Sequence, residues 1–143
     1  MATDRTVSAT WNGSLLEGSG TIHSVGSGAF GPLPVSWASR AEEPNGKTSP
    51  EELIAAAHAA CYSMALSNGL AKAGTPPEQL DTSATVTFQP GEGIVRIALA
   101  VRGVVPGLDA AGFAEQAEAA KIGCPVSKAL AGVPQITLDA ALA

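Results

Sequence analysis

One long helix constrains the fold of this chain more than any other feature, and its beginning is clearly marked. Ser49 can act as the N-cap, Pro50 suits the first helical position, and Glu52 completes a Ser-x-x-Glu capping box. The helix is predicted to continue to about Lys72 and to stop at Gly74. The sequence therefore predicts a helix of about six turns.

The first half of this helix is apolar on almost every side. Residues 53–66 include His58 and Ser63, and the stretch is too short to span a bilayer. A helix that is apolar all round is expected to be buried all round. Aromatic residues make up only 4% of the 143-residue chain, so one subunit has few large side chains to cover this helix. We therefore predict that a second copy of the chain covers part of it.

Composition and charge exclude several classes of partner. Hydrophobic residues make up 45% of the chain and charged residues 15%, which is typical of a globular protein. The net charge is −5, and the Lys and Arg residues are scattered, so nucleic acid and anionic membranes are not expected partners. The first eleven residues are polar and lack the apolar core of a signal peptide. We expect a cytoplasmic protein with one domain over residues 1–143.

The other elements are predicted from apolar alternation, turn residues and helix caps. The predicted strands cover residues 6–11, 14–17, 20–25, 35–40, 82–89, 94–101 and 135–142. A two-residue turn, Asn12-Gly13, joins the first two strands. Two shorter helices are capped by Asp109 and Cys124 and end near Lys121 and Ala131. This order indicates the α+β class, with antiparallel sheets wrapped around a long buried central helix.

The two cysteines are the strongest candidates for chemistry. Cys61 lies in the middle of the long helix among alanines, where only a nearby cation could make it a thiolate. Cys124 begins a helix with Pro125 at the first position, and free N–H groups there favour a thiolate. In a reducing compartment neither is a structural disulfide by default. On their spacing alone, two inert buried thiols are the favoured interpretation, because free Cys is among the most buried residue types.

Other kinds of site have less support. His58 and Cys61 share a helix face and could bind a metal together with Cys124, with His23 as a fourth ligand. A zinc site normally shows paired close spacings, and this chain has one loose pair, so we expect no metal. Gly18-x-Gly20 lacks the strand-to-helix context of a phosphate loop. Neither histidine lies beside a nucleophile elbow, so a Ser-His-Asp hydrolase is not indicated.

Two segments resemble the signature of the OsmC/Ohr family, the osmotically inducible and organic-hydroperoxide-resistance proteins. They are residues 48–66, TSPEELIAAAHAACYSMAL, and residues 120–128, AKIGCPVSK. The opening ATWNG at residues 9–13 and the pair Ser39-Arg40 are similar to the family as well. The resemblance covers essentially the whole chain in the right order. The residues around Cys61 are similar to those of the OsmC branch of the family.

The resemblance implies a role for four residues. Cys61 matches the cysteine that attacks the peroxide, and Cys124 matches the resolving cysteine. Arg40 matches the arginine that activates the thiolate, and Glu51 matches the carboxylate that holds this arginine. Ala41 departs from the family pattern, in which an aromatic residue commonly follows the arginine.

The resemblance also implies an activity and an assembly. By this resemblance, family members form an interwoven homodimer with two active sites at the subunit interface and without metal or flavin. They reduce organic hydroperoxides through a sulfenic acid and a disulfide, which an external dithiol such as a lipoyl protein then reduces. Such a protein defends the cell against oxidative or osmotic stress. A non-catalytic protein that binds a hydrophobic ligand between its subunits is the alternative.

The spacing adds a constraint to these implied roles. Glu51 and Cys61 are ten residues apart on one helix, which corresponds to about 15 Å along its axis. If Arg40 is tied to Glu51, it can reach Cys61 only from the other subunit. Local electrostatics and the resemblance disagree about the more reactive thiol, because a helix start favours Cys124. We expect Cys61 to attack, since attack also needs room for the substrate and a cation.

Overall fold

A computed structural model describes residues 1–143, which form six strands and four helices. In chain order they are β1 (Ala9–Asn12), β2 (Ser19–Ile22), β3 (Leu33–Val35), α1 (Trp37–Ala41), α2 (Pro50–Lys72), β4 (Gln79–Gln89), β5 (Gly93–Val104), α3 (Ala110–Gly123), α4 (Pro125–Ala129) and β6 (Gln135–Leu142). The chain divides into two compact units, Met1–Leu53 and Ile54–Ala143. The single domain expected over the whole chain stays a prediction.

The long helix α2 has the predicted bounds, and its first turn is capped in a modified way. Ser49 Oγ accepts a hydrogen bond from the N–H of Glu52 at 3.2 Å, as the capping box predicts. The carboxylate of Glu52 accepts its bond from Thr48 Oγ1, at 2.8 Å, instead of the backbone of Ser49. The box is therefore half formed, and Thr48 supplies the second bond.

The first unit holds an antiparallel sheet in the order β1-β2-β3. The predicted two-residue turn at Asn12-Gly13 is wrong, because Asn12 pairs with Ser19 and residues 13–18 form the connection. The strand predicted over residues 14–17 is accordingly absent. Gly20 is required in β2, because a Cβ there would lie 2.7 Å from the ring of Trp11.

The strand predicted over residues 35–40 is also wrong, because the short helix α1 occupies most of this segment. Ser36 is its N-cap, and its Oγ accepts a hydrogen bond from the N–H of Ser39 at 3.1 Å. Ser39 Oγ in turn accepts one from the N–H of Ser36 at 3.0 Å. This reciprocal pair is a capping box with serine in place of glutamate, and it outweighs the apolar alternation.

The second unit holds a sheet in the order β4-β5-β6. Strands β4 and β5 form the predicted antiparallel hairpin. Strand β6 runs parallel to β5, with Leu138 opposite Leu99, so the prediction of purely antiparallel sheets is wrong for this pair. Helices α3 and α4 lie between β5 and β6 in the chain, and such a crossover is what joins parallel strands. The α+β class itself is confirmed.

One side of α2 packs into the core of the second unit, and the other side does not. His58, Tyr62, Leu66 and Leu70 follow one another at four-residue spacing and are fully buried. Tyr62, Leu66 and Leu70 pack in a cluster with Ile97, Leu99 and Val101 of β5 and Phe113 of α3. The opposite side is exposed, and its apolar members are Ala56, Ala57, Ala60 and Met64. The prediction of a helix buried all round is therefore not met by one chain alone.

None of the helices is both long and apolar enough to cross a membrane.

Candidate active site

The two cysteines contact each other within the second unit. Cys61 lies half-buried in the middle of α2, and Cys124 is fully buried between the end of α3 and the beginning of α4. Both are free thiols, and each side chain acts on the pKa of the other. Pro125 occupies the first position of α4, as predicted. The fold thus brings together two sulfur atoms that are 63 positions apart in the sequence.

The surroundings shift the pKa values of the two thiols in opposite directions. Burial raises the pKa of Cys61, and the side chain of Cys124 adds to the rise. A contact with the N–H of Val126 acts in the opposite direction and lowers this pKa. Burial also acts to raise the pKa of Cys124, but hydrogen bonds outweigh it and lower that pKa. The donors are the N–H groups of Ser127 and Val126, the thiol of Cys61 and the hydroxyl of Ser127. Within one chain, the pair therefore holds its negative charge preferentially on Cys124, as expected for a helix start.

The backbone contacts to Cys124 are weak polar contacts. The N–H groups of Val126 and Ser127 lower its pKa, but neither makes a capping hydrogen bond of full geometry with the sulfur. The side-chain donors, Cys61 and Ser127, therefore matter alongside the helix start.

Arg40 and Glu51 form a two-pronged ion pair within the first unit. Arg40 Nε lies 3.0 and 3.2 Å from the two carboxylate oxygens of Glu51, and Nη2 lies 2.8 Å from Oε1. The Glu51 side chain is 8% exposed and that of Arg40 is 32% exposed. Ser39 Oγ donates a hydrogen bond to the carbonyl of Thr48 at 3.1 Å, which holds α1 against the segment leading into α2. The pair is thus built from neighbouring turns, and Arg40 keeps part of its surface open.

A mostly apolar cavity of about 330 Å³ adjoins Arg40 in the first unit. Its lining consists of Trp11, Leu15, Val35, Ser36, Trp37, Arg40 and Pro50. A partly exposed guanidinium beside aromatic and aliphatic side chains suits a ligand with a polar end and an apolar body.

An open groove of about 640 Å³ follows the exposed side of α2 in the second unit. Ala59, Ala60 and Ser63 line it from the helix, and Arg102 lines it from β5. Arg102 is paired with Asp139 at 2.9 Å and is the one cation among the residues that line this groove.

One residue of the thiol site, Ser127, was not singled out from the sequence, and the bond that His58 makes with it was not predicted. His58 is fully buried, and its Nε2 lies 2.7 Å from Ser127 Oγ. It had been considered as a metal ligand together with His23, which instead contacts Thr10 Oγ1 through its Nε2 at 2.8 Å. The only local signal for Ser127 is its place three residues after Cys124, which matches the place of His58 three residues before Cys61.

Comparisons with known proteins agree with this architecture. The family model described as OsmC-like protein matches residues 43–139. Two curated relatives are named Peroxiredoxin OsmC, from Escherichia coli (strain K12) and from Shigella flexneri. Each is 46% identical over 134 residues, which covers 92% of this chain and 91% of the relative.

Solved structures of similar proteins share the fold. An organic hydroperoxide resistance protein OsmC from Legionella pneumophila superimposes with a TM-score of 0.68 at 22% identity, covering 95% of this chain and 96% of the other. The organic hydroperoxide resistance protein OhrB of Bacillus subtilis gives 0.66 at 24% identity, covering 96% and 98%. The curated names support the predicted class of enzyme, a cysteine-based peroxidase. The family match and the 46% identity show that this chain belongs to the OsmC family.

Proposed function

We propose that this protein reduces organic hydroperoxides to alcohols through Cys61 and Cys124. The observation that carries the proposal is that the two thiols, which come from separate elements, lie together in one cluster and act on each other's pKa. Two sulfurs in such contact can form a disulfide with little movement of the backbone. The relatives named Peroxiredoxin OsmC add support, because a peroxiredoxin is a cysteine-based peroxidase.

The proposed reaction has three steps. The Cys61 thiolate attacks one peroxide oxygen, the O–O bond breaks, and the leaving alkoxide takes a proton to become an alcohol. Cys61 is then a sulfenic acid, and the Cys124 sulfur attacks it, which forms the disulfide and releases water. An external dithiol, such as a lipoyl protein, reduces the disulfide and restores both thiols. The reducing conditions of the cytoplasm suit this last step.

The proton shared by the two thiols explains why a cation is needed. Within one chain the charge favours Cys124, and attack requires it on Cys61. Because the two thiols titrate as an interacting pair, the proton can pass from Cys61 to Cys124 without leaving the pair. A guanidinium beside Cys61 would favour that transfer and would stabilise the charge that develops on the leaving oxygen. We assign this role to Arg40, with Glu51 fixing its direction.

The proposed site lies at the interface of a homodimer, and Arg40 of the partner subunit faces Cys61. Two observations support this arrangement. The side of α2 that carries Ala60 and Met64 is apolar and uncovered in one chain. The ten-residue spacing from Glu51 to Cys61 also separates the two halves of the site by about 15 Å on a single helix.

The dimer predicts a defined mass in solution. Sedimentation at micromolar concentration should give twice the chain mass of 14.2 kDa. Met64→Glu places a charge on the uncovered side of α2 and should shift the protein towards monomer with loss of activity. Ala119→Glu adds the same charge on the exposed side of α3 and serves as the matched control. A stable wild-type monomer with full activity would contradict both the dimer and the interfacial site.

The apolar cavity beside Arg40 predicts the preferred substrate. Burying the aromatic body of cumene hydroperoxide there should raise kcat/KM about ten- to a hundredfold over hydrogen peroxide. Steady-state rates with dithiothreitol as the reductant measure this ratio. Leu15→Asp, at the exposed edge of the cavity, should reduce the preference by affecting the organic substrate alone. A protein that binds cumene hydroperoxide without consuming it would favour the non-catalytic binding protein instead.

A further inference from the structure

Two pairs of polar side chains meet in the core of the second unit, one pair on α2 and the other where α4 begins. His58 and Cys61 are three residues apart on α2, and Cys124 and Ser127 are three residues apart where α4 begins. His58 bonds Ser127, and Cys61 and Cys124 act on each other's pKa, so the two helices interact through both pairs. The second contact is fully enclosed, because His58 is 0% and Ser127 8% exposed.

The hydrogen-bond pattern selects one form of His58. Burial lowers the pKa of His58, so the ring is neutral at physiological pH. Its Nδ1 is buried and has no hydrogen-bond partner among the protein atoms. A proton on Nδ1 would be a buried donor without an acceptor, whereas a bare lone pair there costs less. The proton therefore sits on Nε2, which donates to Ser127 Oγ across 2.7 Å.

This direction leaves the Ser127 hydroxyl hydrogen available. Ser127 Oγ accepts from His58, so its own proton can be donated to another group. Ser127 lies three residues after Cys124 at the start of α4, and its hydroxyl acts to lower the pKa of the Cys124 thiol. The chain of donation thus runs from His58 Nε2–H through Ser127 O–H to the sulfur.

We propose that His58 is a positioning residue that acts through Ser127 to stabilise the thiolate of Cys124. The role in resolving a sulfenic acid rests on the proposed function, because that thiolate is what attacks Cys61. His58 touches neither the substrate nor the reacting sulfurs in this account. It fixes the orientation of a hydroxyl that would otherwise rotate freely.

Other ionisable groups face the same pair and set the background. Cys61 and Tyr62 of α2 both interact with Cys124, and burial is the main cause of the raised pKa of Tyr62. Glu118 of α3 acts on Tyr62 and adds to that rise. Lys121 and Lys128 line a cavity that also includes Ser127. Apart from Cys61, which is serine throughout the titration series, these groups remain in every variant below, so changes can be assigned to the His58–Ser127 contact.

The test begins with the acidity of Cys124 itself. In a Cys61→Ser background, the Cys124 thiolate is titrated by its ultraviolet absorbance and by its rate of alkylation. His58→Met removes the donor at similar volume, and Ser127→Ala removes the hydroxyl. Each should raise the Cys124 pKa by about one unit, a tenfold fall in thiolate below the pKa. His58→Gln keeps an N–H near the position of Nε2 and should restore most of the shift.

Thr75→Val is the matched control, because Thr75 Oγ1 bonds the Leu70 carbonyl at the far end of α2. It should leave the Cys124 pKa unchanged. Folded His58→Met and Ser127→Ala variants with an unchanged Cys124 pKa would overturn the proposal. A shift in His58→Met without one in Ser127→Ala would overturn the route through the hydroxyl.

The rate of disulfide formation gives a second readout that a structural defect would not reproduce. A thiolate with a pKa one unit higher is about threefold more nucleophilic, which partly offsets its tenfold lower population. With both cysteines present, Ser127→Ala should slow disulfide formation about threefold at a pH below the Cys124 pKa of both the wild-type protein and the variant. At a pH above both of these Cys124 pKa values, it should accelerate disulfide formation about threefold. Slowing at every pH would contradict the proposal. If the pKa shifts as expected but peroxide yields no disulfide, the proposed function fails and the His58 contact stands.

Discussion

Replacing Cys61 with serine is expected to abolish the consumption of organic hydroperoxide. Serine keeps the shape of the side chain but cannot become a sulfenic acid. Replacing Cys124 with serine should instead leave a single turnover, with about one equivalent of peroxide consumed per site. The product should be a Cys61 sulfenic acid that slowly over-oxidises, because no resolving thiol is present. Single-turnover yields with limiting peroxide and without reductant measure both results.

This pair of variants is informative because two physical arguments oppose each other. The low pKa of Cys124 makes it the more abundant thiolate in an isolated chain. A thiolate buried at 0% exposure, however, has no room for a peroxide, whereas Cys61 is partly open. Access and transition-state stabilisation decide which sulfur reacts, and acidity alone does not. Reaction of Cys61→Ser together with an inert Cys124→Ser would show that the roles are reversed.

Arg40→Ala is expected to reduce kcat/KM about a hundred- to a thousandfold. The variant removes the charge proposed to draw the proton from Cys61 and to stabilise the leaving oxygen. Glu51→Gln keeps the shape of the anchor and loses its charge, so the loss should be smaller, about tenfold. The pH dependence of kcat/KM should move to higher pH in Arg40→Ala, because the thiolate at Cys61 then forms less readily.

Two further arginines serve as comparisons. Arg5→Ala is a matched control, because Arg5 is exposed and its guanidinium bonds the carbonyl of the adjacent Asp4. Arg102→Ala tests the cation that lines the groove beside Ala59 and Ala60. Wild-type rates in Arg40→Ala with a large loss in Arg102→Ala would transfer the activating role to Arg102.

The sequence predicted best what short-range contacts determine. The bounds of α2 follow from Ser49, Pro50 and Gly74, which act within one or two turns of the residues they cap. The bounds of α3 follow from Asp109 in the same way, since its side chain accepts the N–H of Gly112 at 2.8 Å. Residues 35–40 were wrongly predicted as a strand. In a sequence, a Ser-x-x-Ser capping box indicates a helix less clearly than apolar alternation indicates a strand.

Long-range arrangements were beyond the sequence alone. The parallel direction of β6 depends on how the crossover through α3 and α4 packs, which no residue of β6 encodes. The bond between His58 and Ser127 joins residues 69 positions apart, and neither side chain marks the other. The ion pair of Arg40 and Glu51 was proposed from family resemblance, and the structure shows its geometry. Its place beside Cys61 stays a prediction.

The most direct test of the central claim is a single turnover of the wild-type protein. The reduced protein is mixed with less than one equivalent of cumene hydroperoxide per site, quenched with an alkylating reagent and mapped by peptide mass spectrometry. We expect a Cys61–Cys124 disulfide in an amount equal to the cumyl alcohol formed. Unchanged peroxide with both thiols alkylated, or oxidation of Cys124 while Cys61 stays reduced, would contradict it.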